Sequence, residues 1–306
     1  MAPFVKALQY LRLKVLISLI RLIVRLLTPR VHGKPDTTLQ IPSRDAGRTI
    51  KAHVYNHPDN GESKSSGESS SPVLINFFGS GFAIPSFFGA DDHFCREVAR
   101  RTGHVVLDVS YRLGPEHPFP AAVHDVEDVV RYVLSQPGKY DPSRISVSGF
   151  SSGGTLALVA PTLLPIGTFR NVLAFYPSVS LVKDPAERKA PVEAPKGADK
   201  RSPLFWTRLF REAYLRDLDP MDPRISPLFA DTAKYPRDVL IITAEYDVSA
   251  LEAEEFAEKL KATASGRNVL LRRMRECGHN FDKSKKNAQA RDEAYNLVID
   301  LLKAHE

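Results

Sequence analysis

The sequence predicts an α/β fold in which a mostly parallel central sheet carries helices on both faces. Three observations lead there. Short β-branched or apolar runs recur at 49–55, 73–77, 104–110, 145–148, 172–175, 239–243 and 269–273. Stretches of helical period lie among them at 89–102, 121–135, 152–163 and 249–263, and 286–304 closes the chain. The runs are continuous rather than alternating, as strands covered on both faces are.

Composition bounds the rest. At 306 residues, 43% hydrophobic and 25% charged, the chain is of ordinary globular make-up. Its length suits one α/β unit with a large core. Collagen-like, wholly disordered and multi-span membrane classes are excluded, and no internal repeat is visible. Two cysteines, Cys95 and Cys277, make no disulfide framework and lack metal-ligand spacing, so no metal is expected. The absence of any Asn-x-Ser/Thr acceptor argues against a secreted glycoprotein. The expected location is intracellular, either cytoplasmic or peripherally membrane-associated.

The net charge of +6 is concentrated at one end. Six of the 42 basic residues (Lys6, Arg12, Lys14, Arg21, Arg25 and Arg30) fall in residues 1–30 with no acid. The other 36 equal the 36 acidic ones, and a neutral body of this kind is a poor nucleic-acid binder. Residues 4–27 read as a helix. At about 100° per residue, Lys14, Arg21 and Arg25 share a face with Ser18, and Lys6 lies at its edge. Leu, Ile and Val fill the remainder, with Arg12 the exception. The longest charge-free run, 15–20, is too short to span a bilayer, and neither part of a signal peptide is present. Pro29 stops the helix. Residues 1–30 are therefore expected either to lie in a membrane interface through 4–27 or to pack on the body or a second subunit. The one-sided basic face favours the membrane.

Residues 31–306 form the expected α/β domain. Within it, 60–72 is Ser/Gly-rich and reads as a mobile surface loop. Residues 180–227 are charged, Pro-rich and strandless, then partly helical. Such an insertion reads as a cap over the carboxyl edge of the sheet, where ligands bind in these folds.

The run 145–148 leads into Gly149-Phe150-Ser151-Ser152-Gly153, and a helical pattern follows. This is G-x-S-x-G in the strand–turn–helix setting that exposes a serine nucleophile, with glycines where side chains would clash. A serine hydroxyl needs a base held by a carboxylate. On such a sheet the chain order is nucleophile, acid, base. Only His279 and His305 follow Ser151, and His305 is penultimate. His279 therefore becomes the base. The run 239–243 ends in Glu245 and Asp247, and Asp247 is preferred because it lies further into the loop. Oxyanion donors are expected from the backbone N–H of Ser152 and of Gly79 and Ser80, in the loop after 73–77.

The stretch Tyr111-Arg112-Leu113-Gly114-Pro115-Glu116-His117-Pro118-Phe119-Pro120-Ala121-Ala122 closely resembles a signature of the hormone-sensitive-lipase-like esterases. That family has the α/β-hydrolase fold and includes arylacetamide deacetylases. The resemblance spans roughly residues 45–304. It takes in the Ser151 elbow, Asp222-Pro223-Arg224-Ile225-Ser226-Pro227, the segment 243–247 and Gly278-His279. It implies a Ser151/Asp247/His279 triad, no cofactor, and a cap built from the N-terminal helix and 180–227. The chain is also similar, more loosely, to hydrolases that tailor fungal secondary metabolites. Two departures stand out. The family's His-Gly-Gly-Gly motif is Phe78-Gly79-Ser80-Gly81 here, without the histidine that normally helps hold that loop. The elbow carries Phe150 and Ser152 where Asp and Ala are usual.

In the insertion, Trp206, Phe210 and Tyr214 recur at i, i+4 and i+8. They either pack within the cap or, with Phe82, line an apolar acyl or aryl pocket. The expected function is a serine carboxylic-ester hydrolase working through an acyl-enzyme on a small or medium apolar ester, possible secondary-metabolite tailoring included. The alternatives are an acyltransferase using the same triad, or a ligand receptor, since plant gibberellin receptors resemble this family without hydrolysing.

Overall fold

The computed structural model describes residues 3–27, 33–58, 70–196, 202–263 and 266–304. Pro29, Arg30, residues 60–69 of the Ser-rich stretch and His305 lie outside the described residues. Eight strands, β1 (Thr37–Pro42), β2 (Thr49–Tyr55), β3 (Ser71–Phe77), β4 (Val105–Val109), β5 (Tyr140–Phe150), β6 (Asn171–Phe175), β7 (Asp238–Ala244) and β8 (Asn268–Met274), form one sheet. Their order is β1-β2-β4-β3-β5-β6-β7-β8. β2 pairs antiparallel with β1 and β4, and every other pairing is parallel. This is the α/β-hydrolase fold.

The parallel strands alternate between two cores. Val73, Ile75 and Phe77 point to one face, under α3 (Ala121–Leu134), α4 (Ser152–Leu163) and α6 (Ala250–Thr263). Leu74, Val106 and Leu240 point to the other, under α2 (Asp92–Thr102) and α7 (Ala288–Lys303). With both faces covered, the central strands have no polar side to display, which is why they read as unbroken apolar runs.

The sequence signal missed β1 altogether and started β3 two residues late. β1 lies at the sheet edge and buries fully only Ile41, so its segment has no apolar run to recognise. Its place is set by the turn through 43–48 and by its register on β2.

The insertion at 180–227 supplies α5 (Leu204–Leu215), and α1 (Pro3–Leu27) lies against it. Leu13, Ile17, Ile20 and Val24 of α1 are buried with Ala83, Ile84, Leu209 and Ala213. Each buried Leu, Ile or Val of this cluster contributes about 1.5–3 kcal/mol. Arg21 fixes the helix further. It makes a two-pronged pair with Glu116 at 3.0 Å and donates to the carbonyls of Ala83 (2.8 Å) and Gly114 (2.7 Å). Arg12 pairs with Glu212 at 3.0 Å and Lys6 approaches Asp217 at 4.0 Å. Half of the basic residues of 1–30 therefore find acids on the cap and its neighbouring loop. The absence of acids within the helix itself does not mean unpaired charge.

Among the described glycines, those with least room for a side chain lie where β3, β5 and the start of α4 cross. A Cβ on Gly153 would lie 1.8 Å from the Phe77 carbonyl oxygen, and one on Gly149 would lie 2.2 Å from the Gly153 carbonyl oxygen. Both obstacles are main chain and cannot rotate away. Gly153→Ala should therefore cost about 3–4 kcal/mol in urea unfolding. Gly138→Ala, where a Cβ meets nothing within 4 Å, should stay within about 0.5 kcal/mol of wild type. Coincident unfolding curves for the two variants would remove the crossing as a packing constraint.

Candidate active site

Ser151 occupies the single residue between β5 and α4, with φ 52° and ψ −117°. A non-glycine residue held there costs on the order of 1–3 kcal/mol, tolerated because its surroundings over-determine it. Its N–H donates to the Phe175 carbonyl (2.9 Å) and its carbonyl accepts from the Thr155 N–H (3.0 Å). The hydroxyl is thereby lifted out of both elements at the carboxyl edge of the sheet. The turns after β7 and β8 reach the same edge with Asp247 and His279.

The three side chains form a chain of contacts. Ser151 Oγ lies 2.8 Å from His279 Nε2, and His279 Nδ1 lies 2.7 Å from Asp247 Oδ2. An ionised carboxylate can only accept, so Nδ1 carries the proton and the Nε2 lone pair faces Ser151. The other Asp247 oxygen accepts from the Ser249 N–H at 3.0 Å. Glu245, the competing acid, is committed elsewhere, accepting the Glu276 N–H at 2.8 Å.

Burial alone would push the His279 imidazole towards neutrality. The charge of Asp247 and its hydrogen bond outweigh that, with a smaller contribution from Asp282, and proton affinity ends above the ordinary value of 6.5. For Asp247, burial works against ionisation, but His279 and the Ser249 amide reverse it and hold the carboxyl below its usual range. The two shifts reinforce each other, as in any buried pair with one shared proton.

The loop 78–82 follows β3 directly and passes over Ser151. Phe78 is buried against Tyr111 (centroids 4.9 Å) and Phe88 (5.4 Å), and Tyr111 Oη donates to the Phe78 carbonyl at 2.7 Å. A cluster of hydroxyls continues from there. Ser80 Oγ lies 2.8 Å from Tyr111 Oη, Ser152 Oγ lies 3.1 Å from it, and the Phe82 N–H donates to Ser80 Oγ at 2.9 Å. An aromatic and hydroxyl network thus fastens this loop where a histidine was missed in the sequence.

The same cluster corrects one expected donor. The Ser80 N–H is not open to the site; it donates to Ser152 Oγ at 2.9 Å, because Ser152 carries a hydroxyl. The amides of Gly79 and Ser152 make no hydrogen bond to a described residue, and neither does that of Gly81, which sequence reasoning passed over. Serines at both 80 and 152 were the signal that could have redirected the choice.

A cavity of about 1040 Å³ opens above Ser151 between the sheet edge and the cap. Phe82, Phe210 and Tyr214 line it, with Phe82 stacked on Tyr214 at 3.7 Å. Trp206 does not line it. It packs instead with Phe210 and Leu16 against the α1–α5 cluster, while its neighbour Thr207 lines the cavity. Asp91, Asp282, Lys283 and Tyr295 give the opposite wall a polar character.

Comparison with known proteins gives this geometry a context. Residues 74–283 match a family described by the alpha/beta hydrolase fold. The carboxylic ester hydrolase LipN of Mycobacterium tuberculosis is 30% identical over 295 residues, covering 90% of this chain and 72% of that protein. An ethyl acetate hydrolase of Pseudomonas putida is 26% identical over 287 residues, covering 90% and 86%. Among solved structures, a hyperthermophilic esterase of the archaeon Pyrobaculum calidifontis aligns with a TM-score of 0.76 at 28% identity, covering 96% and 91%.

The raised proton affinity of His279 has a measurable consequence. A general base works only when neutral, so activity is present at high pH and is lost as pH falls through the folded-state pKa. kcat/KM on a soluble p-nitrophenyl ester should fall about tenfold per pH unit along one acid limb. That limb should lie above the ordinary imidazole value of 6.5. A limb below that value would contradict the electrostatics described.

Proposed function

Because this chain belongs to the hormone-sensitive-lipase-like esterase family of the α/β-hydrolase fold, we propose that its ester hydrolysis runs through Ser151, His279 and Asp247. The observation that carries the reading is the 2.8 Å and 2.7 Å contact chain leading from a strained elbow serine to a buried carboxylate. Ser151 Oγ attacks the acyl carbonyl while His279 Nε2 takes its proton. The oxyanion that forms is met by the amides of Ser152, Gly79 and Gly81, at the N-terminus of α4 and in the loop 78–82. Collapse expels the alcohol, protonated by His279, and leaves the acyl group on Ser151. Water, deprotonated by the same imidazole, then releases the acid. Asp247 holds Nδ1–H in place and stabilises the imidazolium in both halves.

The substrate is a small or medium ester with an apolar acyl or aryl group. Phe82, Phe210 and Tyr214 support this, since they give the cavity an aromatic wall beside the nucleophile. A fluorophosphonate should label Ser151, and Ser151→Ala should lose at least about 10³-fold in kcat on p-nitrophenyl butyrate. Across C2–C16 esters, kcat/KM should peak at short chains. Wild-type turnover by the variant, or a maximum at C12 or longer, would overturn the corresponding part of the proposal.

A peripheral membrane contact through residues 4–27 is part of the same reading. No helix among the described residues is long and apolar enough to cross a membrane. What supports an in-plane contact is the outer side of α1, where Phe4, Leu8, Leu11, Val15, Leu19, Leu22 and Leu26 form an exposed stripe. Lys14 and Arg25 border it and make no ion pair with a described residue. Such a stripe with basic flanks suits an anionic lipid surface, each cation adding about 1 kcal/mol. The protein should co-sediment with phosphatidylserine vesicles at low salt. Leu19→Glu with Leu22→Glu should abolish that without changing turnover of a soluble ester, since both side chains are about half exposed. Failure of wild-type protein to bind such vesicles would refute the contact.

A further inference from the structure

Lys283 is a cation of the cavity wall that the ester-hydrolysis steps do not use; its side chain is 29% exposed, while its carboxylate partners Asp91 and Asp282 are buried. It lies on the 3₁₀ turn directly after His279. The ammonium meets Asp282 at 2.8 Å and Asp91, at the N-terminus of α2, more closely still. Its remaining side faces the ring of Phe150, with Nζ 4.2 Å from the centroid. Phe150 immediately precedes Ser151, so the cation touches the nucleophile's own turn.

Asp282 connects the cation to the base. Tyr176 Oη donates to it at 2.5 Å and Tyr295 Oη at 3.0 Å. The Tyr176 ring lies against the His279 imidazole, with centroids 4.8 Å apart. Asp91 extends the cluster into the sheet, accepting from Asn76 Nδ2 (3.2 Å), which also donates to Asp108 (2.9 Å). The carboxylates of Asp91 and Asp282 are buried, so removing the cation would strand them in a poorly polarisable interior.

We propose that Lys283 is a positioning residue for the reaction. On this inference it clamps the His279 turn to the Ser151 elbow through Phe150, and it neutralises Asp282 so that His279 feels mainly Asp247. The titratable groups facing His279 are Asp247 from the turn after β7, Tyr176 beyond β6, and Asp282 on its own turn. Those facing Lys283 are Asp91 from α2, Asp282 and, from α7, Tyr295. The inference rests on the proposed roles of Ser151 and His279, but fluorophosphonate labelling of wild-type protein tests those roles independently of Lys283.

The experiment compares kcat, KM and the acid limb of kcat/KM for Lys283→Met, Asp282→Asn, Lys283→Arg and the double variant Lys283→Met/Asp282→Asn. Without the cation, the unbalanced charge of Asp282 favours the imidazolium, so Lys283→Met should move the limb upward by about half a pH unit or more. Asp282→Asn should move it downward, and the double variant should return it towards wild type. Lys283→Met should also lower kcat about tenfold with KM within about twofold, as expected when alignment rather than binding is lost. Lys283→Arg, which keeps the charge, should retain the wild-type limb. Asp282→Asn leaves Lys283 paired with Asp91, so it keeps the test open if Lys283→Met does not fold. A limb that stays at the wild-type position in Asp282→Asn, a double-variant limb displaced as far from wild type as that of either single variant, or kcat unchanged in folded Lys283→Met, would overturn the proposal.

Discussion

Two glycines let three pieces of main chain pass at distances no side chain permits, and the rest of the site depends on that crossing. Gly153, in the first turn of α4, rests on the last carbonyl of β3, and Gly149, near the end of β5, rests on Gly153. The residue between, Ser151, is forced to a positive φ and has no room to relax. The same contact sets the loop 78–82, since that loop begins where β3 ends. Even a Cβ on Gly79 would come within 3.1 Å of the Phe150 carbonyl oxygen. Nucleophile and oxyanion loop are therefore registered by one backbone contact.

Polar groups complete what the crossing begins, and they do so with unusual residues. Phe78 supplies apolar packing, while Tyr111, Ser80 and Ser152 supply the hydrogen bonds that hold the loop. Phe150 cannot hydrogen-bond, yet its ring offers a π face to Lys283 and stacks on Phe175 at 4.3 Å. Both departures from the family motif thus sit in well-formed contacts. Burial of these groups is what gives them weight, because a hydrogen bond or ion pair screened from water is costly to break.

The N-terminal helix has two apolar sides with different fates. One is consumed against α5 and the turn at 83–84, and Arg21 ties it to Glu116 and two carbonyls. The other remains open, and its leucines are exposed without a covering surface. Packing on the cap and contact with a membrane use opposite faces, so the two roles first weighed as rivals are physically compatible.

By itself the sequence determined the fold class and the positions of seven of the eight strands, because buried strands and the helices between them leave local, periodic patterns. It also determined the G-x-S-x-G elbow and, by chain order, a short set of partners for Ser151. The stretch 111–122 identified the family. Tertiary structure decided what depends on contacts between distant segments. β1 exists through its pairing with β2, not through its own apolarity. The Ser80 amide is taken by a hydroxyl 72 residues away, and Trp206 faces α1 rather than the cavity. The partners of Arg21 and Lys283 lie up to 192 residues off along the chain. Periodicity records which side of an element is apolar. Which neighbour that side meets, and which charge a cation answers, is fixed only when the chain has closed on itself.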